Sequence, residues 1–174
     1  MKIRPLPIFL SFLLSACILF GGWFIYGEQF VKKPIRDEIG KMKDVSLQEL
    51  KVGREQVTIT IALQNPNKFQ SNYQDIKRLA KEKAGEKKIV IDFKSQEGKM
   101  QTSWEENQLQ IAEAIDLHQY SRIQQVFDQL KGKKVIKDYV LRIDDEYIYI
   151  YMTNGDSPFY KVLSRTKEVN LNNG

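Results

Sequence analysis

The sequence predicts an α+β fold: an N-terminal transmembrane helix, then a βαβ unit, further helices and a C-terminal antiparallel β-meander, arranged as a two-layer sandwich. Three patterns support this prediction. Residues 6–26 carry no charged side chain, residues 56–64 alternate between apolar and polar, and three short apolar stretches separated by turn residues occupy the end of the chain. Alternation with a period of two is typical of strands, whereas a long uncharged run is typical of a membrane span.

The uncharged N-terminal segment has the length of a membrane-spanning helix. Residues 6–26 would extend over about 31 Å, close to the ~30 Å hydrocarbon core of a bilayer. Lys2 and Arg4 precede the segment, and Trp23 and Tyr26 lie at its far end, where aromatic rings prefer the interface. Export signals also begin with a short basic stretch before an apolar run. We therefore expect a single-pass cell-membrane protein with its domain on the extracytoplasmic side.

The same segment supports a second interpretation, in which the anchor is a lipid. Leu14-Ser15-Ala16-Cys17 resembles the bacterial lipobox, in which a leader is cleaved before a cysteine that then carries lipid. Cys17 is the only cysteine of the chain, so it is the candidate lipidation site and the domain has no disulfide. Residues 18–26 stay apolar, which favours the transmembrane helix. Both interpretations tether the domain.

Composition and charge predict an ordinary folded domain behind this anchor. The chain has 174 residues, of which 42% are hydrophobic and 28% are charged, and its formal net charge is +5. Lysines cluster after two predicted helices, where cations offset the helix dipole, and an anionic surface or polymer is the alternative partner. No nucleic-acid-binding signature accompanies them. We expect an anchor over residues 1–27, a juxtamembrane amphipathic helix over 28–45, an α+β domain over 46–165 and a flexible tail over 166–174.

The first half of the domain has the pattern of a βαβ unit. Residues 56–64 form a half-buried strand, and Asn65-Pro66-Asn67 then supplies the chemistry of a helix start. The helix continues to about residue 84, with Gly85 at the position of a C-terminal cap. Residues 88–94 form the next strand, so the two strands are expected to be parallel.

The second half predicts two helices followed by the meander. Residues 101–117 fit a helix, although the alternation of their apolar residues also fits a strand; the alanines and paired glutamates favour helix. Residues 119–130 form a clearer helix. The strands are then predicted over 134–143, 147–153 and 159–165, with Asn154-Gly155 as a hairpin turn.

Tyr147, Tyr149 and Tyr151 are the candidate binding residues. Alternate residues of a strand share one face, so their rings line up on one side of the predicted sheet. On an open face these rings could stack a sugar, a peptide or another protein. The alternative is that they pair across strands with Tyr160 or pack beneath a helix.

Catalytic and metal-binding motifs are missing from the sequence. No nucleophile elbow, phosphate loop or dinucleotide turn is present, and the single histidine, His118, fits a helix junction. Asp144-Asp145-Glu146 could in principle bind calcium, but acidic residues are common in exposed turns. We therefore expect no enzyme activity, no cofactor and no metal site.

Part of the chain resembles known proteins. Glu113-Ala114-Ile115 with Tyr120 and Ile123, then residues 145–149 and 159–165, are similar to small single-pass envelope proteins of Bacillus-type Gram-positive bacteria. The resemblance implies a Gram-positive cell envelope and carries over no catalytic residue. The leading hypothesis is a membrane-tethered interaction or assembly domain with a protein partner in the envelope. The alternatives are a lipoprotein or sensor domain that binds a small envelope ligand and an enzyme acting on an envelope polymer, for which Asp92, Glu113 and Asp144 are scattered candidate carboxylates.

Overall fold

The protein has an α+β fold with two three-stranded sheets, in each of which the strands lie in sequence order. The computed structural model describes residues 9–18, 27–94, 98–156 and 158–165. The chain divides into two compact units. One comprises Met1–Ile61 and Tyr73–Asp92, and the other comprises Ala62–Asn72 and Phe93–Gly174. The predicted fold class is thereby confirmed at the level of α+β.

Only part of the predicted anchor can be compared with the structure. Residues 9–18 form a helix, α1, whose apolar side chains are largely exposed. The rest of the predicted span over residues 6–26 lies outside the described residues, as does the predicted tail over 166–174. Among the described residues, no helix has both the length and the apolar character needed to cross a bilayer.

Residues 28–45, predicted as one amphipathic helix, contain two helical pieces that end at Gly40, and Val45 begins a strand. A π-helix over Gly27–Lys32 leads into α2, Lys33–Gly40, and both pack on β1, Val45–Val52. Val31, Ile35 and Ile39 are fully buried, so their spacing of four places one apolar stripe in the core of the first unit. This segment is thus part of the folded core.

Strands β2 and β3 and helix α3 form the predicted βαβ unit. β2 covers Gln56–Leu63, α3 covers Phe69–Ala84 after a 3₁₀ turn at Pro66–Lys68, and β3 covers Lys88–Phe93. The backbone N–H of Lys88 donates to the carbonyl of Glu55, so β3 begins beside the beginning of β2. The two neighbouring strands therefore run in the same direction. Gly85 ends α3 with a φ of 66°, as predicted for a glycine cap.

The second unit contains the predicted helices and the β-meander. Their bounds are Lys99–Asp116 for α4, Tyr120–Gly132 for α5, Asp138–Ile143 for β4, Tyr147–Thr153 for β5 and Pro158–Ser164 for β6. The three strands pair antiparallel in sequence order, with β5 in the centre. The helical interpretation of residues 101–117 is confirmed, and His118 lies at the helix junction.

Helices α4 and α5 cover one face of this sheet. Their apolar side chains form one cluster with the residues of β5 and β6 that point to the same face. The cluster includes Trp104, Ile111, Ile123, Phe127, Ile148, Ile150, Met152 and Phe159. Apolar burial is the main favourable contribution to folding, so this cluster is the core of the second unit.

Candidate functional site

The three candidate tyrosines of β5 differ in their burial. Tyr149 is fully buried, whereas Tyr147 and Tyr151 are half-buried. Tyr151 lies opposite Tyr160 in the register of β5 and β6, and their ring centroids are 5.0 Å apart. The cross-strand pairing that the sequence also allows thus occurs for Tyr151, and the Tyr149 ring is buried.

The burial of Tyr149 has a physical cause in residues that are distant in sequence. Phe69 packs edge-on against Tyr149, Tyr160 and Phe93, with ring-centroid distances of 5.6, 5.1 and 5.0 Å. Edge-to-face contacts of this kind are favourable for aromatic rings. An aromatic layer therefore covers the second face of the β4–β6 sheet around Tyr149.

The acidic turn before β5 has a structural role. Oδ1 of Asp144 accepts hydrogen bonds from the backbone N–H groups of Glu146 and Tyr147, at 2.9 and 2.7 Å. Oδ2 accepts from the Tyr149 hydroxyl at 2.7 Å and from the Gln70 amide at 3.4 Å. Both carboxylate oxygens thus have donors, and the described residues contain no grouping of three or more side chains that could hold a metal ion.

Arg165 closes the same end of the sheet. Its guanidinium donates to the backbone carbonyl of Asp144 and, at 3.1 Å, to the Tyr120 hydroxyl. The guanidinium carbon also lies 4.9 Å from the centre of the Tyr120 ring. Arg165 therefore links the end of β6 to the β4–β5 turn and to the first residue of α5.

A groove between α4 and β6 is a candidate binding site in the part of the chain that the structure describes. It encloses about 540 Å³, within the range of ~300–1,000 Å³ that is typical of ligand sites. Its lining is mainly apolar, with polar groups at the rim. The lining residues are Trp104, Gln108, Leu109, Ile111, Ala112, Ile115, Asp116, Lys161, Leu163 and Ser164. We call this feature the α4–β6 groove.

The two walls of the groove are held in place by the core beneath it. Trp104 is buried and stacks on Phe159 of β6, with ring centroids 5.8 Å apart. Ile111, which lies further along α4, is also buried. Because these side chains anchor both elements, the shape of the groove is preformed.

Leu109 extends from the groove into solvent. Its side chain is 81% exposed, more than that of any other large apolar residue among those described. Leu109 is not needed for the core, since Trp104, Ile111 and Ala114 already supply the buried face of α4. Leu109 therefore adds exposed apolar surface beside the groove.

Charge at the groove is provided by Lys161 and Asp116. The Lys161 ammonium lies 5.9 Å from the centre of the Trp104 ring, a cation–π arrangement that holds the charge at the groove. Among the described residues, no carboxylate forms an ion pair with Lys161. The groove therefore combines an apolar lining with one cation, Lys161, that an acidic group could reach, and one carboxylate, Asp116.

The groove is not among the features that the sequence predicts. The one sequence feature that indicates the groove is Leu109. It is an apolar residue of α4 that does not belong to the buried stripe of Ile111 and Ala114. The predicted binding tyrosines lie on the other face of the sheet, so the structure does not bring them to the groove. Cys17, the candidate lipidation site, is a free exposed cysteine in α1.

Comparisons with known proteins give no relative for this chain. No protein-family profile, no curated protein and no solved structure matches it.

Proposed function

We propose that this protein is a membrane-tethered extracytoplasmic interaction or assembly domain whose binding site is the α4–β6 groove. The observation that carries the proposal is Leu109, an 81% exposed leucine at the rim of a preformed apolar groove. Apolar clefts with a few convergent polar groups are the usual form of a binding site. The tether is supported by the uncharged run of residues 6–26, and the resemblance to Gram-positive envelope proteins supports the location.

The partner proposed for the groove is a short apolar segment of another envelope protein that carries an acidic residue. The groove is open to solvent along α4 and is bounded by a helix and a strand, which suits an elongated segment. An acidic residue on the segment matches Lys161, which has no carboxylate partner among the described residues. Burial of the Leu109 side chain by the partner would contribute about 1.5–3 kcal/mol.

The proposal is tested by capture of the partner from the native membrane with matched variants. Leu109→Ser removes the exposed apolar group and leaves the fold intact, because exposed sites change stability by less than about 0.5 kcal/mol. We expect the yield of the partner to fall about tenfold or more, since ~1.4 kcal/mol is a factor of ten in affinity.

Gln110→Ser is the matched control for this experiment. Gln110 is the next residue of α4, is exposed and does not line the groove. The proposal requires normal capture by Gln110→Ser and reduced capture by both Leu109→Ser and Lys161→Gln. Equal capture by all three variants would remove the groove as the binding site.

The nature of the tether is tested separately at Cys17. A transmembrane anchor predicts an intact N-terminus in the mature protein, whereas the lipobox interpretation predicts an N-terminal, lipid-bearing Cys17 after removal of residues 1–16. Intact mass spectrometry of the protein extracted from its membrane distinguishes the two. A protein that is released from the membrane by high salt alone would contradict both forms of the tether.

A second candidate function is supported by the size of the groove. At about 540 Å³ it could also hold a small envelope ligand with an apolar body and an acidic group, as in a sensor domain. Such a ligand would copurify with the protein and would be released by unfolding it in organic solvent. A protein partner that binds the ligand-free protein through Leu109 would favour the first proposal.

A further inference from the structure

A second surface of the second unit has the composition of a membrane-contact loop. The C-terminal end of α5 and the start of β4 form a shallow pocket of about 380 Å³ that is lined by Lys131, Lys134, Val135, Ile136, Lys137 and Asn154. Lys133 lies in the same turn and is exposed. We call residues 131–137 the basic loop. It lies apart from the α4–β6 groove, with which it shares no lining residue.

Most of the positive charge in the basic loop is available to a ligand. Lys131 forms an ion pair with Asp138 at 2.9 Å, and this hydrogen bond lowers the pKa of Asp138 below its usual value. Lys133, Lys134 and Lys137 form no ion pair with a described residue. The basic loop therefore presents three exposed cations, two of which line the pocket, and the ligand that matches them is an anion.

The backbone of the loop provides an independent argument. Lys134 has a φ of 57°, at the position where helices that end in this way usually have glycine. The hydrogen bonds Lys134 N–H to Lys131 C=O and Val135 N–H to Leu130 C=O, both 3.0 Å, define that helix ending. A side chain in the left-handed region is unfavourable. The sequence thus has a lysine at a position where glycine is the usual residue.

Val135 distinguishes a membrane surface from a soluble anion. Its side chain is 38% exposed at the tip of the turn, while the next residue, Ile136, is buried in the core. A free phosphate gains nothing from an exposed valine, whereas a bilayer accepts an apolar side chain between its headgroups and attracts the surrounding lysines to anionic lipid.

We propose that the basic loop binds the anionic surface of a lipid bilayer, with Lys133, Lys134 and Lys137 on lipid phosphates and Val135 inserted between headgroups. This proposal uses the proposed tether only in placing the domain near a membrane, and it is independent of the groove. Each lysine near an anionic surface contributes ~1 kcal/mol. Removal of one lysine should therefore lower the ratio of bound to free loop about fivefold.

The experiment uses the full chain in lipid nanodiscs with an environment-sensitive fluorophore on the loop. Val135→Cys in a Cys17→Ser background provides a single labelling site. We expect a blue shift and quenching by nitroxide-labelled lipid in discs that contain phosphatidylglycerol, and neither effect in discs of phosphatidylcholine alone. Lys134→Gly with Lys137→Gln should reduce the quenching strongly, and glycine at 134 fits the backbone, so unfolding would not explain the loss.

Two controls make the result specific. Lys81→Gln with Lys88→Gln removes the same charge from exposed positions elsewhere and should leave the quenching unchanged. A label at Leu117, which is 51% exposed at the end of α4, should not respond to anionic lipid. A chain that does not stay in the discs would contradict the proposed tether. Binding of the basic loop is then measured with the same labelled protein and added vesicles.

Two results would overturn the proposal. One is identical emission of the label at position 135 in the two lipid compositions. The other is a shift produced by soluble polyphosphate but not by phosphatidylglycerol, which would assign the loop to an anionic polymer.

Discussion

The Tyr149 hydroxyl donates a hydrogen bond of 2.7 Å to Oδ2 of Asp144. Tyr149 lies in the central strand and is fully buried, whereas Asp144 lies in the turn between β4 and β5. The bond therefore connects the interior of the sheet to the turn that sets its register. The same carboxylate accepts two backbone N–H groups, so loss of one donor leaves the turn partly intact.

Tyr149→Phe should lower the free energy of unfolding by about 1.5–3 kcal/mol, the usual contribution of a hydrogen bond to a charged group. The measurement is urea denaturation of the full chain in mild detergent, followed by circular dichroism. Tyr151→Phe is the matched control on the same face of β5, and its effect should stay below about 0.5 kcal/mol. Equal losses in the two variants would show that the Asp144 bond is not what stabilises the turn.

Lys134→Gly should stabilise the protein by about 1 kcal/mol, because it removes a side chain from a left-handed backbone position. Lys133→Gly is the control. Lys133 has a φ of −77°, where glycine gives no relief of strain and increases the entropy of the unfolded chain. We expect the denaturation midpoint to rise for Lys134→Gly and to fall or stay constant for Lys133→Gly. A fall for both would contradict the assignment of strain to Lys134.

Alkaline pH should weaken the fold through two tyrosines. Burial raises the pKa of Tyr160 from 10.0 to about 12, and the charge of a nearby ionised Tyr151 adds to this effect. Burial and the hydrogen bond to Asp128 raise the pKa of Tyr139 to about 12. Between pH 10 and about pH 12 the unfolded chain loses phenolic protons that the folded chain keeps. The free energy of unfolding therefore falls as pH rises through this range.

The measurement compares the pH dependence of the parent with that of Tyr160→Phe. The variant lacks one of the two phenols, so its stability should fall less steeply above about pH 10, while the two slopes should agree below that pH. Lysines also titrate in this pH range, but the parent and the variant contain the same lysines, so the difference between the two curves reports Tyr160. Parallel curves throughout the alkaline range would show that Tyr160 keeps an ordinary pKa.

The elements that the sequence predicts best are those whose pattern is local. β5 has the predicted bounds, Tyr147–Thr153, because three tyrosines alternate with apolar residues and turn residues flank the strand. Gly85 ends α3 because its conformation is one that few other residues tolerate. In both cases a few neighbouring residues determine the outcome.

Strand β1 is not predicted from the sequence, and its burial pattern explains why. Val45 and Leu50 are buried, but Gln48 and Glu49 between them are not, so the alternation that identifies a strand is interrupted. The predicted first residue of β4 is also too early. Lys134 belongs to the ending of α5, which the sequence does not reveal because the usual glycine is absent there.

The site depends on contacts between distant residues, which a single sequence does not specify. Tyr149 is buried because Phe69 packs against it, and Phe69 does not lie near it in the chain. The α4–β6 groove likewise exists because Trp104 stacks on Phe159 and so fixes how α4 sits beside the strand. The aromatic residues can be identified in the sequence, but their partners decide which of them are accessible.

The most direct test of the groove as the binding site is photocrosslinking in the native membrane. A benzophenone amino acid at position 109 should form one discrete adduct with a partner protein, and the crosslinked peptide of that partner should be apolar with an acidic residue. The adduct should weaken in Lys161→Gln, and the same probe at position 110 should not form it. The claim that the groove is the binding site would be contradicted by the absence of an adduct at position 109, or by an identical adduct from position 110.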